Sequence, residues 1–451
     1  MIENQNDPFG CNRRDFLKSG SFATLMTMMG GVELLAQTEA TPGSPSAATT
    51  ATFKVAVIGL GTWGREIINT FALLPQADIA VICDTFPSAL RRAGKDAPGA
   101  KQTADYTTIL SNKEITAVVV ATPTHQHKEI ALAALKAGKH VYCETPLANT
   151  IEDAREIALA AKAAGHQVFQ SGLQMRSDPQ SHFLLPFIRS GALGQFIMAR
   201  AQWHKKTSWR ATASTPEREQ ALNWRLNKSV SLGLVGEVGT QQIDITSWFM
   251  NANPVAVTGF GSVLFYKDGR DVPDTVQAVL EYPGGVKLSY DATLANSFDA
   301  DYQMIYGSDA AVMMRENKAW MFKEVDSPLL GWEVYARKET FYKETGIALL
   351  ADASKGAVAG VKEEAPKPFT TTPLHHALSA FTKKCAAVDD FIANFGSDDP
   401  AALQSNLASS HLSPTAGYLE GFHAAVTAVK ANEAVNTGQR IVLKPEWYEL
   451  G

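Results

Sequence analysis

The chain has 451 residues, of which 45% are hydrophobic and 19% charged, with a formal net charge of -5. That length exceeds one ordinary core and predicts two domains of globular rather than disordered or membrane-embedded character. The mild negative charge, with no basic run longer than Lys205-Lys206 or Arg91-Arg92, argues against nucleic-acid binding, and Cys11, Cys83, Cys143 and Cys385 have neither metal-ligand spacing nor the look of a disulfide framework.

Residues 1–52 are set apart from the fold. Asn12-Arg13-Arg14-Asp15-Phe16-Leu17-Lys18 resembles the twin-arginine export signature, the alternative being a chance arginine pair before an apolar helix. The apolar stretch Phe22–Ala36 contains Gly30-Gly31 and is too short for a membrane span of about 20 residues. Thr38–Thr52, rich in Ala, Thr, Ser and Pro, reads as a flexible lead-in. The expectation is a periplasmic or otherwise exported protein, with the twin-arginine machinery as a partner and no membrane span.

From Phe53 the pattern alternates strand and helix. Phe53–Ile58, Ile79–Cys83, Ile115–Ala121, His140–Cys143 and Gln167–Gln170 are apolar runs of strand length. Helical stretches separate them at Arg65–Leu74, Ser88–Lys95, His127–Ala137 and Ile151–Ala164. This predicts a Rossmann-type, doubly wound parallel sheet over residues 53–172. Residues 173–451 change character. The runs beginning at Phe196, Val255, Val276, Val286 and Tyr302 alternate more and predict an α/β domain with an open, mostly antiparallel sheet. Helices are expected at Gln180–Ser190, from Gly236 to Asn251 and at Leu419–Ala431, with Ile347–Lys367 as a surface excursion.

Gly59-Leu60-Gly61-Thr62-Trp63-Gly64 falls between the first strand and its helix, and Asp84 ends the second strand. In that context the glycines permit a tight turn, close approach of a pyrophosphate and close helix packing, while the helix N-terminus attracts the phosphates. Asp84 is placed to accept hydrogen bonds from the adenosine ribose and to repel a 2′-phosphate. NAD is therefore expected over NADP, with Arg91 and Arg92 keeping NADP open. Because the twin-arginine route carries folded proteins, the cofactor is expected to be loaded before export and held tightly.

Ala121-Thr122-Pro123-Thr124-His125-Gln126-His127 and Ala137-Gly138-Lys139-His140-Val141-Tyr142-Cys143-Glu144-Thr145-Pro146-Leu147-Ala148 resemble the Gfo/Idh/MocA oxidoreductases. The resemblance implies an active site between the two domains, a homo-oligomer packed through the second sheet, and a sugar or polyol substrate. It implies that Thr122, Pro123, His125 and Glu144 line the nicotinamide half of the cofactor, with Gln174 nearby. It also implies two departures. The family's usual Glu-Lys-Pro is Glu144-Thr145-Pro146 here, and its Asp-x-x-x-His becomes Glu237-Val238-Gly239-Thr240-Gln241. The customary cationic partner of the reacting hydroxyl is thus missing.

Oxidation of an alcohol still needs a proton acceptor. Glu237 is the first candidate, against a role as a helix-start carboxylate. His204 and Lys205 follow, since neighbours on a strand point to opposite sides and one should face the cleft. Arg176 is a substrate anchor or a domain-interface ion pair. Gln241 and Trp224 are substrate candidates, although Trp203, Trp209 and Trp224 could equally be core. His125 and His127 shape the nucleotide loop, His375-His376 has no assigned role, and no metal site is expected. Three functions remain: an NAD-dependent oxidoreductase acting on a sugar, glycoside or polyol; a glycosidase or lyase working through transient sugar oxidation; and a non-catalytic binding protein.

Overall fold

The structure is a computed structural model that describes residues 53–316, 318–330, 338–341, 344–349, 371–396, 399–410 and 412–451. The expected export signature and most of the expected excursion at 347–367 lie outside the described residues.

The first sheet comprises β1 (Phe53–Ile58), β2 (Ala77–Cys83), β3 (Lys101–Thr103), β4 (Ala117–Val120), β5 (His140–Cys143) and β6 (Phe169–Ser171), in the order β3-β2-β1-β4-β5-β6. All pairs are parallel. Helices α1 (Thr62–Phe71), α2 (Pro87–Asp96), α3 (Thr107–Ser111), α4 (His127–Lys136) and α5 (Ile151–Ala163) connect the strands. Every residue of β4 and β5 is buried, which explains their continuous apolar sequences. Alternate residues feed two cores: Val55, Val57 and Val119 on one face, Ala56, Ile58 and Val120 on the other. The strand order reverses between β1 and β4, and that reversal opens the crevice at their carboxyl ends.

Helix α6 (Pro179–Arg189) leads into the second sheet. Its strands are β7 (Phe196–His204), β8 (Ala256–Ser262), β9 (Thr275–Glu281), β10 (Lys287–Thr293), β11 (Asp301–Gly307), β12 (Ala310–Arg315), β13 (Lys318–Lys323), β14 (Lys338–Phe341), β15 (Glu344–Leu349) and β16 (Ile441–Val442). The order is β14-β15-β13-β12-β11-β7-β10-β9-β8-β16. Only the central β7–β10 pair is parallel. Helices α7 (Pro216–Leu222), α8 (Gly233–Glu237) and α9 (Gly239–Met250) follow β7 in sequence. Leu234, Val235, Ile243, Ile245 and Phe249 pack with Ala199, Ala201, Leu288 and Tyr290 of the sheet.

The C-terminal helices pack back across the expected division at residue 172. Helix α10 (Pro373–Phe395) and α11 (Pro400–Ser409) do not join the second sheet. Leu374, Ala377, Leu378, Phe381 and Cys385 complete the β1 face of the first domain, where Phe381 meets the ring of Tyr142. Each large apolar side chain buried there contributes about 1.5–3 kcal/mol. Helix α12 (Tyr418–Thr437) serves both domains: Phe422, Ala425 and Val426 pack in the first, Ala431, Ala434 and Val435 in the second. No helix among the described residues is long and apolar enough to cross a membrane.

Candidate active site

The cleft begins at the glycine turn. Gly59 has φ +96°, which L side chains rarely adopt, and a Cβ there would lie 2.6 Å from the Ala121 carbonyl carbon. Gly61 is the N-cap of α1 and supplies no capping side chain, so the first N–H groups and the positive end of the helix dipole stay free for an anion. A Cβ on Gly61 would meet nothing within 4 Å, whereas one on Gly64 would run into the Gly59 carbonyl oxygen. Asp84 stands just beyond β2. Its carboxylate accepts the Leu60 N–H at 2.9 Å and the Phe86 N–H at 2.8 Å, pinning the turn while keeping lone pairs for a ribose hydroxyl.

At the other end, Thr122 and Pro123 follow β4, and Glu144 and Thr145 follow β5. Glu144 is buried and accepts hydrogen bonds from the Trp63 indole, reaching over from the first turn of α1, and from the Thr145 backbone. Burial outweighs both and pushes its carboxyl up to about 7. His127 lies between the carbonyl oxygens of Thr122 (2.9 Å) and Pro146 (3.0 Å), joining the two motif loops. Gln174 opens the turn Gln174–Ser177 after β6, at the same sheet edge.

Thr122 Oγ1, His125 Nδ1, Glu144 Oε1 and Gln241 Oε1 are buried without a hydrogen-bond partner. Buried polar atoms are normally satisfied, and leaving several unmet in one cleft is costly. Carboxamide and ribose hydroxyls are groups that could meet them. The residues present therefore fit a nicotinamide nucleotide.

The second domain closes the cleft with the end of α8 and the start of α9. Glu237 accepts the Thr124 hydroxyl at 2.9 Å on one oxygen and the Leu232 N–H at 3.0 Å on the other. Burial raises its pKa, and the positive charge of Arg225 opposes the rise. Gln241 donates to the Thr145 hydroxyl at 3.1 Å and to the Gly172 carbonyl at 2.7 Å. Trp224 sets its ring against His125, with centroids 6.0 Å apart. Glu237, Gln241, Trp224 and Thr145 thus converge on the nucleotide loops from two domains.

Residues 53–171 match the family described as "Oxidoreductase family, NAD-binding Rossmann fold", and residues 186–313 match the GFO/IDH/MocA C-terminal domain. The chain belongs to the Gfo/Idh/MocA oxidoreductase family. Among curated relatives of this Gfo/Idh/MocA protein, the levoglucosan dehydrogenase of Pseudarthrobacter phenanthrenivorans is 29% identical over 268 residues, covering 53% of this chain and 67% of the relative. Inositol 2-dehydrogenase 2 of Saccharopolyspora erythraea is 28% identical over 241 residues, covering 53% of this chain and 66% of the relative. These matches therefore reach about two thirds of the relatives' lengths. A solved levoglucosan dehydrogenase in complex with NADH shares the fold, with TM-score 0.65, 20% identity, and coverage of 87% of this chain and 99% of that one.

Within this Gfo/Idh/MocA fold, His204, Lys205 and Arg176 lie apart from the group around Glu237. His204 lies on the sheet face turned away from the helices: Ala199, Ala201 and Tyr290 point inward, while His204 bonds Asp291 at 2.6 Å and the Phe298 carbonyl at 3.1 Å. Its partner in the expectation, Lys205, is exposed just beyond the strand end. Neither is brought to Glu237. Arg176 forms a two-pronged ion pair with buried Asp244 at 2.8 and 2.9 Å and lies over Trp248. That pair joins the segment after β6 to α9.

Sequence reasoning missed three residues. Thr124 supports Glu237; Arg225 lies between the rings of Trp209 and Trp224; and Arg218 of α7 donates to Ser88 and lies over Phe86, beside Asp84. Thr124 and Arg225 stood inside quoted motifs, but nothing in their spacing announced the partners. Among the described residues, no group of three or more His, Cys, Asp or Glu side chains is arranged to hold a metal.

Proposed function

We propose that this family member is an NAD-dependent dehydrogenase that oxidises a hydroxyl of a sugar, glycoside or polyol. The observation that carries the reading is Glu237: a half-buried carboxylate with a raised pKa, hydrogen-bonded to Thr124 of the loops that would hold the nicotinamide. When bound, NAD would supply the hydride acceptor for the carbinol carbon. Glu237 takes the hydroxyl proton, so alcohol plus NAD becomes carbonyl, NADH and a proton held on the carboxylate. Its raised pKa brings the acceptor nearer to neutrality, where a general base works best. Thr145 and Gln241, linked at 3.1 Å, orient the substrate oxygen where the family's usual lysine and histidine would act. Asp84 favours NAD over NADP.

Tight retention belongs to the same proposal. Arg218 reaches from the second domain to Ser88 and Phe86, a contact that must break before the adenosine end opens. A held cofactor suits export of the folded, loaded protein by the twin-arginine signature at Arg13-Arg14, to a compartment without a free pool of NAD. Self-association through the open face of the second sheet, where Phe260 and Val279 are exposed, completes the reading.

A second reading has support in the two carboxyls with raised pKa, Glu144 and Glu237. Transient oxidation of a ring hydroxyl acidifies the adjacent C–H. One carboxylate can then take that proton while a protonated carboxyl serves the departing glycosidic oxygen; water adds across the resulting double bond, and the hydride would then return to the carbonyl. Sugars and aryl glycosides offered to the NAD-loaded protein separate the two. Persistent near-ultraviolet absorbance of NADH identifies the dehydrogenase, aryl-group release without net NADH identifies the glycosidase, and neither signal defeats both.

A further inference from the structure

Four arginines around the cleft are occupied, and a fifth differs from them. Arg176 is paired with Asp244, Arg210 and Arg270 share Asp268, and Arg218 donates to Ser88. Arg225 has no hydrogen-bond acceptor or carboxylate partner among the described residues; its contacts are two indole faces. The guanidinium carbon lies 4.7 Å from the centre of the Trp224 ring and 5.7 Å from that of Trp209. Stacking of this kind restrains the plane of a guanidinium and leaves the N–H donors along its edge available. The support is itself under strain, since Trp209 holds φ +58°, a left-handed conformation unusual for a bulky residue.

Position gives the arrangement its meaning. Trp224 packs edge-on against His125, so the stack stands at the nicotinamide end of the cleft. Arg225 is close enough for its charge to act on Glu237. Yet Glu237 takes its two hydrogen bonds from Thr124 and Leu232, not from Arg225. A half-buried cation that gives up water without a hydrogen-bonded counter-ion is costly, and a planar fork of donors matches a carboxylate.

We propose that Arg225, pinned between Trp209 and Trp224 with its donor edge free, binds a carboxylate of the substrate, so that the substrate class is an acidic sugar such as a uronic or aldonic acid. This rests on the dehydrogenase reading only for the location of the substrate. The competing role, counter-charge to Glu237 alone, requires no acidic ligand.

Calorimetric titration of the full, NAD-loaded chain with glucuronate and with glucose decides between them. The expected result is glucuronate binding at least about tenfold tighter than glucose, the margin one charge-assisted pair supplies. Arg225→Met keeps the bulk between the rings and should bring the two affinities to within about twofold. Arg225→Lys, which keeps the charge but loses the fork, should fall between. Equal affinities in the unaltered protein, a preference that survives in Arg225→Met, or no binding of either sugar overturns the proposal. Should Arg225→Met fail to retain NAD, Arg225→Lys alone must reduce the preference. Absence of NADH formation would count against the dehydrogenase reading while leaving the measured preference standing.

Discussion

Two glutamates about the same crevice sit in different electrical surroundings. Glu237 has a cation nearby and two donors on its oxygens, whereas one oxygen of Glu144 is buried with no partner. Glu237→Gln preserves shape and can still accept the Leu232 N–H, but it cannot take a proton. Turnover should fall by roughly 10²–10⁴-fold with bound NAD unchanged, as measured by steady-state kinetics beside nucleotide content. Glu144 gives a pH signature in the cofactor-free protein. Burial raises its pKa from 4.5 to about 7, so the unfolded chain releases this proton first as pH rises. The contribution to stability is complete below about pH 4.5 and lost progressively up to about 7. Glu144→Gln removes that loss, and the unfolding midpoint of the variant should vary less with pH across that window. At this scale the sequence was readable wherever a motif named the residue, as for Asp84 and Glu144. It was silent where function depends on a partner distant in the chain: nothing near residue 176 announces Asp244, and nothing near Glu237 announces Thr124.

The glycine turn separates two roles that the pattern alone merges. Gly61 is open to the cleft and has ordinary helical-side φ, so Gly61→Ala should leave thermal stability nearly unchanged while sharply weakening NAD binding. At Gly64 a Cβ meets the Gly59 carbonyl, so Gly64→Ala should lower the unfolding midpoint even without nucleotide. Calorimetry and NAD titration on both variants check this; the same response from both would refute it. Helix α7 has no buried residue of its own, so its hold on the first domain depends on contacts such as those of Arg218. Arg218→Ala should speed NADH release by about tenfold, read from stopped-flow fluorescence. The parallel strands were legible because burial on both faces leaves unbroken apolar runs. Helix α10 was legible in principle, with Pro373 in its first turn and Leu374, Ala377, Leu378 and Phe381 at helical spacing, but the surrounding family likeness is thin and drew no attention to it. Strands β12 to β15 lay in the same poorly matched stretch.

For the molecule as a whole, the two-domain plan followed from length and from the change in strand character near residue 173, and the family's profile spans both parts. The return of the C-terminal helices did not follow, because tertiary packing and not chain order assigns them. Export is testable at this scale. Replacing Arg13 and Arg14 by lysine should leave the protein in the cytoplasm with its NAD-binding capacity intact, as fractionation and nucleotide assay would show; undiminished export would sink the twin-arginine reading.

The packing of Phe381 against Tyr142, and of Phe422 and Val426 on the opposite face of the same sheet, has a temporal corollary. During synthesis the nucleotide-binding half emerges first with its own crossover helices on both faces, but the part of each core supplied by α10 and α12 arrives only after the second sheet. The binding crevice therefore gains its full backing late in translation, only after the second sheet has been made.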